Sequence, residues 1–143
     1  MTVEIRILRP EDESILDNIG PDLFDDPLDQ QATRAFLADP RHHIVVAIDA
    51  GVVVGFVSAV HYVHPDKAAP ELWINEVAVA PTGRGRGIGK AMLASLLEHA
   101  RTLGCGEAWV LTDRSNEAAM RLYRGLDGTE SDAVMFTFQL PQS

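Results

Sequence analysis

The chain has 143 residues, the size of one domain built around one core. Hydrophobic residues make up 46% and charged residues 23%, which fits an ordered globular chain. With 21 Asp+Glu against 12 Lys+Arg the net charge is -9, the wrong sign for gripping nucleic acid through its phosphates. The apolar runs are too short to span a membrane, and the N-terminal residues hold no apolar export signal. A single cysteine, Cys105, excludes an internal disulfide framework and a multi-cysteine zinc site. A cytoplasmic setting is expected.

Val3, Ile5 and Ile7 alternate with Glu4 and Arg6, the pattern of a half-buried strand. Pro10 and the acids Glu11, Asp12 and Glu13 open a helix that Gly20-Pro21 ends. Residues 21–27 read as a loop, and 28–38 as a second helix stopped by Asp39-Pro40. Strands follow over 44–48 and 52–63, joined by a tight turn at 49–51. A turn over 64–70 leads to a strand over 71–79. An amphipathic helix spans 87–103 and closes on Gly104. A strand over 108–112, a helix over 115–126 and a final strand over 133–140 complete the chain. The expected order is β-α-α-β-β-β-α-β-α-β, a mixed α/β domain over residues 1–143 with an antiparallel half and a βαβ-like half.

Charge is unevenly spread. Residues 1–30 carry nine acids and two bases, whereas residues 82–101 carry four bases and one acid. The basic pole coincides with a glycine-rich turn between a strand (Val77, Ala78, Val79) and a helix. Glycines at 83, 85, 87 and 89 let the backbone turn tightly, and the unpaired N–H groups of the helix start form an anion site. Arg84, Arg86 and Lys90 add positive charge, which suits a pyrophosphate. A Walker A loop does not fit, because Arg84 stands at its first Gly and Ala91 at its hydroxyl position. The dinucleotide fingerprint fails at its third Gly from either start.

What does fit is Arg or Gln, any two residues, Gly, any residue, then Gly or Ala: Arg84-Gly85-Arg86-Gly87-Ile88-Gly89. This resembles the pyrophosphate loop of the GNAT family of acetyl-coenzyme A-dependent N-acetyltransferases. Asn116, Ala119, Leu122 and Tyr123 have the spacing of a second motif of that family, on the helix after its fifth strand. One departure is Asp127, which stands where the family usually has Gly. Asp tolerates a left-handed turn better than most residues.

The resemblance implies a mostly antiparallel central sheet with a splayed parallel strand pair, flanked by helices. It places the pantetheine of acetyl-CoA along Val77, Ala78 and Val79, and the diphosphate on the amides from Arg84 through Gly85, Arg86, Gly87 and Ile88 to Gly89, with Lys90 nearby. Asn116 would approach the pantetheine, and Tyr123 would protonate the leaving thiolate. Glu76, within an otherwise apolar run, is the candidate general base, and on strand parity it faces away from Glu71 and Trp73. Residues 71–79 and 132–138 are also similar to the gentamicin-type aminoglycoside 3-N-acetyltransferases. Asp25, Asp26, Glu76 and Asp132 would then hold ammonium groups, with Trp73 as a wall. A homodimer is a further implication of the resemblance. Acetylation of a peptide N-terminus or lysine, and non-catalytic acyl-CoA binding, are the competing readings. No metal is expected: His42, His43, His61 and His64 lack a matching cysteine or carboxylate cluster.

Overall fold

The apolar runs at the middle of the chain fold as central strands buried on both faces. In the computed structural model, which describes residues 2–142, five strands form one sheet: β1 (Glu4–Ile7), β2 (His42–Asp49), β3 (Val52–His64), β4 (Lys67–Val79) and β5 (Glu107–Val110). Their order across the sheet follows the chain. β1 to β4 pair antiparallel in succession, and β5 runs parallel to β4. The helices are α1 (Gln30–Ala38), α2 (Ile88–Thr102) and α3 (Glu117–Gly125), with a 3-10 helix over Pro10–Asp17.

Two neighbouring residues of β3 define the faces. A Cβ at Gly55 would strike Met92 of α2 at 2.8 Å. Phe56 points the other way and stacks on Phe24 with ring centroids 4.1 Å apart. The face under α2 carries the main core, in which Val45, Val57, Leu72, Met92 and Leu96 are fully buried.

The segment after β1 is a 3-10 helix instead of the expected α-helix, and it ends at Asp17. Its N-cap, Arg9, has no side-chain oxygen to cap with, and Asp12 instead accepts the Arg9 N–H at 2.9 Å. Helix α1 starts two residues later than expected because Asp29 caps it, accepting from the Ala32 N–H at 2.8 Å. The turn expected over 64–70 shrinks, since β4 already begins at Lys67, paired with His64.

Helix α3 closes in a Schellman motif. The Gly128 N–H donates to the Tyr123 carbonyl at 2.9 Å and the Asp127 N–H to the Arg124 carbonyl at 3.0 Å. Asp127 adopts φ +63°, so the left-handed turn forms with Asp in the place of Gly.

The last expected strand does not form. Residues 133–140 are unpaired, and Val134, Met135, Phe136, Phe138 and Leu140 are between 70% and 81% exposed. Alternation supplies the faces of a strand, but a strand also needs an edge to pair with, and none within the chain is used.

His43, on β2, is buried beside His61 (Nε2 to Nδ1, 2.7 Å) and against the edge of His99. Burial, followed by the neighbouring histidines, pushes its pKa down to about 4. The native state therefore holds His43 neutral, while the unfolded chain binds its proton near pH 6.5. Stability contributed by this residue is complete above pH 6.5 and is lost as pH falls to about 4, by about 3 kcal/mol. Urea unfolding across that window should show a smaller loss for His43→Gln, which retains a hydrogen-bonding side chain but does not titrate.

Candidate active site

The site is organised by the upper half of β4. Its pairing with β5 runs from Glu71–Glu107 to Ile74–Val110 and stops, while β4 continues to Val79. From Asn75 to Val79 the backbone groups that point away from β3 have no strand opposite them among the described residues. At the same place β4 carries a bulge. Ser58 and Ala59 are consecutive on β3, yet they pair with Glu76 and Ile74, which leaves Asn75 as the extra residue.

The bulge changes which face each side chain takes. Directly opposed residues of an antiparallel pair share a face. Glu76 therefore shares the face of Ser58, Trp73 that of Val60 and Glu71 that of Tyr62, all on the Phe56 side. Strict alternation put Trp73 and Glu71 on the opposite face from Glu76. The extra residue corrects that expectation and brings the three together. Val77 and Val79 face α2, and Ala78 faces the Glu76 side.

On the Phe56 side lies a cavity of about 350 Å³. Asp25, Asp26, Asp29 and Glu76 line it together with Phe24, Phe36, Phe56 and Ser58. The acidic loop is held there by buried Leu23 and by the Phe24–Phe56 stack. Glu76 is exposed at this cavity and not enclosed by apolar side chains. On the same face, Trp73 stacks on Trp109 with centroids 5.2 Å apart and planes 9° apart. The Trp109 Nε1–H donates to the Tyr62 hydroxyl at 2.6 Å, which donates to Glu71 at 3.3 Å.

The glycine-rich turn follows β4 directly. A short 3-10 turn, Pro81–Gly83, leads into Arg84. Gly85 (φ +75°) and Gly87 (φ +72°) are both left-handed, which a side chain would resist. Gly87 is the N-cap of α2 and has no side-chain oxygen to offer, so the first amides of the helix, from Ile88 to Lys90, remain available to an anion. Arg86 departs from expectation. Its guanidinium is half-buried and ion-paired with Asp49 at 2.9 Å, so it braces the loop. Arg84 and Lys90 form no ion pair among the described residues.

Helix α3 approaches this loop where Leu122 packs beside Gly89. Asn116 is its N-cap and accepts from the Ala119 N–H at 3.1 Å, leaving its amide NH₂ free to donate. Tyr123 is half-buried against the core, and burial raises the pKa of its hydroxyl. The hydroxyl therefore stays protonated through neutral pH. Asp132 is not in the cavity. It is exposed and pairs with Arg114 at 2.8 Å.

The sequence had no signal for Asp29, Trp109 and Tyr62 as parts of this face. Asp29 falls inside the helix expected over 28–38, and the other two depend on the β3–β4–β5 register. Cys105 is half-buried with its thiol pKa raised by burial, which is unfavourable for a nucleophile.

The model of the acetyltransferase (GNAT) family matches residues 7–127. The chain belongs to this family. Among characterised relatives, N-alpha-acetyltransferase RimI of Mycobacterium tuberculosis is 34% identical over 103 residues, covering 71% of this chain and 61% of the relative. L-2,4-diaminobutyric acid acetyltransferase of Vibrio cholerae is 33% identical over 109 residues, covering 74% and 61%. The chain thus spans about three-fifths of the length of these two GNAT relatives. Among solved structures, an aminoglycoside acetyltransferase from an uncultured soil metagenomic sample superimposes with a TM-score of 0.85 at 23% identity, covering 99% of this chain and 100% of the other. The aminoglycoside acetyltransferase AAC(6')-Iy, solved with a bisubstrate analogue, gives 0.80 at 20%, covering 99% and 100%. At these identities the two structures establish the GNAT fold and nothing finer.

Gly87→Glu places bulk, charge and an unfavourable left-handed side chain at the centre of the anion site. Calorimetric titration should find coenzyme A binding abolished in this variant, with the circular dichroism spectrum of the wild type retained.

Proposed function

We propose that the chain transfers the acetyl group of acetyl-CoA to a primary amine of a small polycation. The observation that carries this reading is the double placement of Glu76. Its backbone belongs to the stretch of β4 that borders the open gap, and its side chain lines the acidic cavity. A thioester lying along the gap and an ammonium group drawn into the cavity would meet at this residue.

The β4 amides from Val77 to Val79 and the α2 amides after Gly87 would hold the pantetheine and the diphosphate, with Arg84 and Lys90 adding charge. Asn116 donates toward the pantetheine. The acceptor attacks only as the free amine, and Glu76 takes its proton directly or through a water. Charge developing on the carbonyl oxygen is stabilised by the β4 N–H groups that face the gap. Tyr123, protonated at neutral pH, donates to the departing thiolate. Asp25, Asp26 and Asp29 bind the remaining ammonium groups, and Trp73 with Trp109 walls the acceptor.

Two likenesses support a small cationic acceptor: the diaminobutyric acid acetyltransferase relative and the fold shared with aminoglycoside acetyltransferases. The 3-N position of an aminoglycoside rests on the short motifs at 71–79 and 132–138 alone. The likeness to RimI favours a second reading, acetylation of a protein N-terminus.

A thiol-release assay with acetyl-CoA and a panel of aminoglycosides, diamines, polyamines and N-terminal peptides tests the proposal. Turnover is expected on aminoglycosides or small diamines. Turnover on peptides alone would replace the acceptor and retain the chemistry, and no turnover with tight coenzyme A binding would favour a non-catalytic module. Tyr123→Phe should lower kcat by about 100-fold and leave coenzyme A affinity within about twofold. Glu76→Gln should lower kcat/KM for the amine.

A further inference from the structure

Strand β3 buries seven consecutive residues, Val53 to Ala59, and Ser58 is the one polar side chain among them. Two residues oppose it directly on the flanking strands. On β2 the opposed residue is the buried Ile44, and on β4 it is Glu76. The Asn75 bulge turns Glu76 onto this face, so the polar residue opposite Ser58 is the candidate base. Both side chains line the cavity. Neither the Ser58 hydroxyl nor the Glu76 carboxylate forms a hydrogen bond or ion pair among the described residues. A buried hydroxyl without a partner costs stability that Ala would not. What enters the cavity can supply that partner.

We propose that Ser58 is a second contact for the acceptor nitrogen and selects primary over secondary amines. The inference rests on the amine transfer proposed above. Cβ atoms of directly opposed residues lie about 5 Å apart, so one nitrogen can bridge the hydroxyl and the carboxylate. A neutral primary amine has two N–H bonds and one lone pair. With one N–H donated to Glu76 and the other to the Ser58 Oγ, the lone pair is turned out of the cavity toward the gap beside β4. The nitrogen–carbon bond forms and the carbon–sulfur bond breaks. The N–H held by Glu76 passes its proton to that carboxylate, and the thiolate takes a proton from Tyr123. Ser58 gains and loses no proton, and the N–H it holds stays on the amide product. A secondary amine has one N–H, so it satisfies Glu76 or Ser58 and not both.

The test uses the full chain, acetyl-CoA and the best primary amine of the panel above, paired with its N-methyl counterpart. The wild type should favour the primary amine in kcat/KM. Ser58→Ala should lower kcat/KM about 10-fold for the primary amine and less than about twofold for the N-methyl amine, so the ratio falls. The KM for acetyl-CoA and the thermal unfolding midpoint should stay at their wild-type values, because Ala fits the same buried position. Ser58→Thr, which keeps the hydroxyl, should retain the wild-type ratio. A wild type indifferent to N-methylation, a ratio unchanged in Ser58→Ala, or an equal fall in Ser58→Thr would each overturn the role of Ser58 and leave the acetyl transfer standing. A wild type that turns over no amine would overturn both.

Discussion

The bulge at Asn75 is the constraint on which the site depends. One extra residue in β4 does two things at once. It turns Glu76 onto the face that carries Trp73, Ser58 and the acidic cavity. It also coincides with the point where β5 stops pairing, so the strand that aims Glu76 also offers unpaired amides to a ligand. Neither effect arises from a regular strand. With strict alternation Glu76 would point toward α2, into the main core, where an unpaired carboxylate is costly.

Around this point the charges of the chain are sorted by element. The basic pole is reached through β4 and consists of backbone amides at the start of α2, reinforced by Arg84 and Lys90. The acidic pole is assembled from elsewhere: the loop before α1 supplies Asp25 and Asp26, and the cap of α1 supplies Asp29. Phe24 and Leu23 fix that loop by burial, so Asp25 and Asp26 are placed by apolar contacts, whereas Asp29 is placed by its cap on α1. Arg86 shows the same division of labour in reverse. It lies in the basic loop, yet its charge is consumed by Asp49 in bracing the turn.

Much of this was legible in the residues. The strands and helices that bury an apolar face were expected within a few residues of where they lie, because periodicity reports burial directly. The glycine-rich turn was legible because left-handed positions at 85 and 87 and a bare helix start each demand a particular residue type. Asp127 was legible as a tolerated substitute for Gly. What was hidden depended on partners distant in the chain. The face of Trp73 relative to Glu76 follows from a bulge that alternation cannot reveal. Trp109 joins the face of Trp73 and Glu71 only through the β4–β5 register. The strand expected at 133–140 has the right pattern, but the segment pairs with no edge of the sheet. Asp132 fails as a cavity residue for the same reason, because it was placed by motif and the segment that carries it lies outside.

In the proposed function, the β4–β5 gap and the start of α2 form one continuous cradle for the cofactor. Amide hydrogen exchange with and without coenzyme A tests it most directly. The account predicts slowed exchange at residues 76–79 and 85–90 together, on one titration curve. Slowing confined to other segments, or at only one of these two stretches, would contradict it.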